Sequence, residues 1–185
     1  MPLPAATKRQ HIHTRSISYT GYRREDGLWD MEAHMTDKKA YQHRSRGRGE
    51  IEIGSPIHEM LIRITIDDSF VVQDIVAITE HSPYGMCPSI TPNYSSLIGA
   101  TVGPGWRKAI HDRVGGIKGC THITELLYPI ATVAFQTIMP WRNHNSEKDP
   151  TQSSDRKPFV LNTCHAWGDT SPVVKKYMPE FYRGE

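Results

Sequence analysis

Met60-Leu61-Ile62-Arg63-Ile64-Thr65-Ile66, then Asp67-Asp68-Ser69, then Phe70-Val71-Val72-Gln73-Asp74-Ile75-Val76-Ala77-Ile78-Thr79, is the stretch on which the fold turns. Both flanks are rich in β-branched residues, and the three polar residues between them are the length of a tight connection. The pattern predicts an antiparallel hairpin. Arg63, Thr65, Gln73 and Asp74 interrupt the apolar run, so one face of the hairpin is expected to be less buried than the other.

An earlier segment repeats the signal. Arg15-Ser-Ile-Ser-Tyr-Thr-Gly-Tyr alternates polar and apolar residues, Asp26-Gly27 supplies a turn, and Leu28 to Met35 alternates again. Two alternating runs around Asp-Gly read as a second hairpin. Residues 1–14, with two prolines among polar groups, read as a flexible arm, and residues 36–49, polar and basic, read as a loop. The arginines Arg44, Arg46 and Arg48 sit among glycines there and are read as a solvated loop.

After His81 the punctuation changes to glycine and proline. Thr91-Pro92 opens a short helix to about Ile98, and Pro104 opens another, closed by Gly115-Gly116. A third and longer helix carries Ile123, Leu126, Leu127, Ile130, Ala134 and Ile138 at three- and four-residue spacing, with Pro129 inside it. Residues 142–157 read as an exposed insertion, Phe159 to Cys164 as a strand, and Tyr177, Phe181 and Tyr182 lie in a helical tail. The fold class is α+β: antiparallel β-hairpins followed by a C-terminal helical layer, in a single domain over 15–185.

Composition narrows the function. A formal charge of +2, without aromatic residues interleaved among the basic ones, gives no nucleic-acid partner. No apolar run approaches the roughly 20 residues of a membrane helix, and the N-terminus lacks the order of a signal peptide, so a cytoplasmic protein is expected. Three cysteines, none in a Cys-x-x-Cys pair, are expected to be thiols. The sequence leaves a homo-oligomer open.

The chemistry-bearing residues gather at element ends. Cys87 follows the Met60–Thr79 hairpin. Cys120 stands at the head of the long helix, where the dipole and free N–H groups favour thiolate, with His122 two residues on. Cys164-His165 follows the expected last strand. Cys87, Cys120, His122 and Cys164 are therefore candidate ligands for zinc or iron, although buried thiols packed as small hydrophobes account for the cysteines equally well. His58 and Glu59 point to opposite faces of a strand, and His58 shares its face with Met60. It is the second candidate, against a plain hydrogen-bonded histidine. The glycines of 99–105 lack a Gly-Lys-Ser/Thr and read as turns. Trp106 and Tyr94 are kept as candidates to line a pocket for an aromatic ligand.

Arg23-Arg24-Glu25-Asp26-Gly27-Leu28-Trp29-Asp30, Gly54-Ser55-Pro56-Ile57-His58-Glu59-Met60, Gly119-Cys120-Thr121-His122 and Leu161-Asn162-Thr163-Cys164 together resemble the bacterial family called domain of unknown function 2889. That resemblance implies a link to the breakdown of aromatic compounds and no defined activity. The order of hairpin, cysteine, helices and Gly-Cys before the last long helix is also similar to the iron–sulfur scaffold family of IscU and NifU. Cys87 and Cys120 fall on two cluster positions. The scaffold's first cysteine would fall near Pro56, its Asp at His58, and its histidine at Gly119. With no nucleotide, flavin or hydride-carrier motif in view, the expectation is a small lyase acting on an aromatic, lignin-derived acid. His58 or His122 would move a proton, and Tyr94 or Arg107 would hold a phenol or carboxylate. The alternative is a metal or iron–sulfur carrier built on the Cys/His clusters.

Overall fold

The structure is a computed structural model that describes residues 3–145, 158 and 160–185. Its chain forms two compact units, Met1–Arg142 and Asn143–Glu185.

The first unit is α+β. Strands β1 (His13–Arg23), β2 (Trp29–Lys39), β5 (Pro56–Ile66) and β6 (Val72–His81) make one antiparallel sheet in the order β1-β2-β5-β6. Both expected hairpins are present. Gly27, at φ 90°, takes the left-handed position of the first turn, and Phe70, at φ 63°, that of the second. Strand β2 runs four residues beyond Met35, into the stretch read as loop. Its burial alternates without a break from Trp29 through Met31, Ala33 and Met35 to Asp37. The strand continues because Asp37 is satisfied by partners that the sheet itself supplies. The remainder of that stretch is a small hairpin, β3 (His43–Ser45) with β4 (Gly49–Ile51).

Helices cover one face of the sheet. The 3-10 segment Cys87–Leu97 replaces the expected short helix and begins earlier than Thr91. Helix α1 (Trp106–Val114) starts from Gly105, whose φ of 88° only glycine adopts freely, and stops at Gly115. Helix α2 (Thr121–Asn145) presents the predicted stripe, with Ile123, Leu126, Leu127, Ile130, Ala134 and Ile138 all fully buried. These pack with Met31, Met35, Met60, Ile62, Ile64 and Ile66 of the sheet and with Trp106 and Ile110 of α1. Ahead of Pro129 the carbonyls of α2 receive side-chain donors: Tyr19 Oη gives a hydrogen bond to Leu126 O at 3.2 Å, and Trp106 Nε1 to Leu127 O at 2.8 Å. Trp106 is thus a core residue, 2% exposed, with its one donor spent on the helix.

In the second unit, residues 160–167 turn instead of forming the expected strand. Asn162 adopts φ 64°, its side-chain oxygen accepts from Asp169 N at 3.0 Å, and its own N–H reaches Trp167 O. An asparagine that closes local bonds this way favours a turn over a strand. The tail follows as α3 (Pro172–Tyr177), capped by Ser171, and a 3-10 turn at Pro179–Phe181. Most of the segment read as an exposed insertion, 146–157, lies outside the described residues.

Candidate functional site

Strand register sets up the site. Arg15 of β1, Asp37 of β2 and His58 of β5 are direct cross-strand neighbours in one row of the sheet. All three project toward the helices, as Met35 and Met60 do two residues further along. A bulge after Asp37 shifts the register at this spot, a common device for re-aiming a side chain. Helix α2 begins over this row and adds His122 in its first turn and Glu125 one turn later.

Asp37 is the hub. It is 3% exposed, and Arg15 grips it with both prongs, Nε to Oδ1 and a terminal nitrogen to Oδ2, each at 2.8 Å. The other guanidinium nitrogen of Arg15 reaches Glu125 Oε2 at 2.9 Å, tying the sheet to α2. His13 Nε2 lies 3.2 Å from Oδ1, His58 Nδ1 3.2 Å from Oδ2, and His122 Nε2 3.9 Å from Oδ2. The rings of His58 and His122 stack at 3.9 Å between centroids, inclined by 30°. Burial alone would raise the pKa of Asp37, but the Arg15 hydrogen bond and charge, joined by His58 and His13, outweigh it and hold the carboxyl below its usual range. Burial pushes both His58 and His122 down. Each ring also feels a neighbouring cation, His122 when charged in the case of His58 and Arg15 in the case of His122. Two uncharged imidazoles therefore sit on an ionised carboxylate, and both keep an edge in solvent, with side-chain exposures of 19% and 24%.

Since an ionised carboxylate only accepts, His58 donates through Nδ1–H and leaves Nε2 with a lone pair. This is how a buried aspartate fixes the tautomer of a catalytic histidine. Glu59 faces the opposite side of the sheet, where it bridges His34 and His81 at 2.9 Å each.

The other residues singled out in the sequence fall as follows. Cys120 is half-buried, and its Sγ lies 3.8 Å from His122 Nδ1, the nitrogen turned away from Asp37. Tyr94 is fully buried; its hydroxyl accepts from Cys120 N, donates to Cys120 O and touches Thr124 Oγ1, all within 3.0 Å. That spends the phenol on the head of α2, so its observed task is to position the turn that carries His122. Arg107 lies on the exposed side of α1 with its guanidinium 5.2 Å from the centre of the Tyr128 ring. Cys87 opens the 3-10 segment, half-buried, and stands outside the Asp37 cluster. Cys164 belongs to the second unit, where it is exposed.

Sequence reasoning found His58 and His122 and missed Asp37, Arg15, His13 and Glu125. The missed signal was periodicity. The alternation Trp29, Met31, Ala33, Met35 runs on to Asp37, and Arg15 leads the alternation of β1, so two charged residues occupy core-facing positions.

Among known proteins, one family model matches residues 13–136, about two thirds of the chain, and its description is "Protein of unknown function (DUF2889)". The matched span holds the whole cluster. No curated protein matches, and no solved structure does, so the likeness to the iron–sulfur scaffold fold finds no support. Among the described residues, no helix is long and apolar enough to cross a membrane.

Proposed function

The chain belongs to the DUF2889 family, and on the geometry of the Asp37 cluster we propose that it is a small lyase acting on an aromatic, lignin-derived acid by a proton-transfer elimination. The observation that carries this reading is the pair of stacked imidazoles held on one buried carboxylate. An elimination needs a base beside the bond that breaks. The base takes a proton, the freed electron pair forms the new double bond, and the leaving group departs with the bonding pair. His58 is the better-arranged base, because Asp37 fixes its tautomer and stabilises the imidazolium that forms. His122 stays neutral while His58 is charged, since two cations stacked at this distance repel. Arg15 keeps Asp37 ionised throughout. With Tyr94 spent in the core, Arg107 is the group of the pair left to bind the substrate carboxylate. The substrate class rests on the link to aromatic breakdown that the family resemblance implies.

The test is turnover of a panel of hydroxy- and methoxy-substituted aromatic acids, followed by chromatography and mass. The wild-type chain should convert at least one, and His58→Gln should lower kcat by about 10²-fold or more. Arg107→Ala should raise KM with kcat little changed. Full turnover in both His58→Gln and His122→Gln would remove both as the base. A metal or iron–sulfur carrier is the second reading, and the Cys120–His122 contact at 3.8 Å favours it. An iron–sulfur carrier purified without oxygen would be brown, whereas a cofactor-free lyase is colourless.

A further inference from the structure

Among the described residues, one group of three metal-ligating side chains converges: Asp37, His58 and His122, each offering one donor atom, with all three atoms within 4.8 Å of one another. We infer that these residues form a binding site for one divalent transition-metal ion of the zinc class. This goes beyond the lyase reading and stands on geometry alone.

Spacing is the first argument. An ion holding N and O ligands at about 2.1 Å sets neighbouring donors roughly 3.0–3.4 Å apart in octahedral or tetrahedral geometry. His58 Nδ1 and Asp37 Oδ2 are already 3.2 Å apart, and His122 Nε2 is 3.9 Å from the same oxygen. Filling the site asks for the loss of the proton on His58 Nδ1 and for His122 Nε2 to move closer to Asp37 Oδ2 by about half an ångström or more. The donor set is the second argument. Two imidazoles and one carboxylate, with solvent completing the shell, suit zinc and divalent iron and exclude the thiolate-rich sites that the cysteines would make. Cys120 touches the far nitrogen of His122, so it steadies that ring from behind and stands outside this ligand set.

Charge and support agree. Arg15 carries one positive charge against the two negative charges of Asp37 and Glu125, so with neutral imidazoles the cluster is net negative. Arg15 also holds the carboxylate in place from the side away from His58, the kind of outer support that metal ligands receive. The consequence for the proposed elimination is direct. The ion takes Nδ1 of His58, moves its proton to Nε2 and so removes the lone pair that would act as base. Metal and proton transfer therefore compete for the same residues.

The test is calorimetric titration of the chelator-treated full chain with zinc, beside cobalt(II) titration followed by its visible spectrum. The expected result is one ion per chain, a cobalt spectrum of N and O ligation, and affinity reduced about tenfold or more in both His58→Gln and His122→Gln. Zinc should also slow any turnover found in the aromatic-acid panel, with recovery on chelation. Absence of zinc binding, unchanged affinity in both histidine variants, or a thiolate-to-cobalt charge-transfer band would overturn the site. The two readings fail separately: turnover without zinc binding removes the metal site, and zinc binding without turnover leaves it standing while the lyase falls.

Discussion

Asp37 carries a full charge at 3% exposure because four groups share its two oxygens. Removing that charge leaves Arg15 with Glu125 and uncouples His13 and His58 together. Because Arg15 is a third exposed and screened accordingly, Asp37→Asn should cost about 1–3 kcal/mol, less than for a fully buried pair. Urea unfolding with an unchanged m-value would show it; a loss near zero would mean that the hub is dispensable. The histidines make a separate prediction from pH. Their folded pKa values lie below 6.5, so between the two values the unfolded chain binds more protons. Stability from this source is complete above the unfolded value and is lost as pH falls through the folded ones. Asp37 adds a loss of the same sign, beginning only near its unfolded value of 3.8. Thermal melts should therefore fall from about pH 7 to pH 5, and more gently in His58→Gln.

Elements bring these residues together, and here some of the molecule was legible in the sequence and some was not. The β5–β6 hairpin and the apolar stripe of α2 could be read because their periods of two and near 3.6 hold for the whole element. Strand β2 was read only as far as Met35, because polarity after that point looked like loop. A charged residue on the core face is invisible until its partners are known, and Arg15, His58 and His122 lie far from Asp37 along the chain. The turn at 160–167 was misread because apolar Val160 and Leu161 outweighed Asn162, whose local bonds decide the backbone. Tyr94 shows what element-level positioning contributes. Tyr94→Phe leaves Cys120 N and Thr124 without their shared partner and should cost about 1–3 kcal/mol, with a change in the His122 ring signal by NMR. Gly21 marks where α2 lies on β1: a Cβ there would meet the side chain of Thr137 below van der Waals distance. Gly21→Val should cost about 1–3 kcal/mol, and Thr137→Gly should recover part of it.

At the scale of the whole molecule, the cluster and the core that supports it share one unit. Every residue of the main hydrophobic core, from Trp29 to Ile138, lies within Met1–Arg142, as do all members of the Asp37 cluster. The second unit buries its own Leu161 and Val174. A chain ended after Asn145 should thus unfold in one cooperative urea transition and keep its zinc titration; a molten, non-cooperative product would show that the second unit is needed for the fold. Within the first unit the sheet groups residues by register, which sets Arg15, Asp37 and His58 side by side, and helix α2 adds His122.

The measurement that tests the central claim most directly is a pH titration of the histidine ring nitrogens by NMR, in the wild-type chain and in Asp37→Asn. The structure predicts that His58 and His122 titrate below the ordinary histidine value, that His58 holds its proton on Nδ1 at neutral pH, and that both signals move together on substitution of Asp37. Two rings titrating at ordinary values, indifferent to Asp37, would contradict the existence of the cluster and remove the ground for both the base and the metal site.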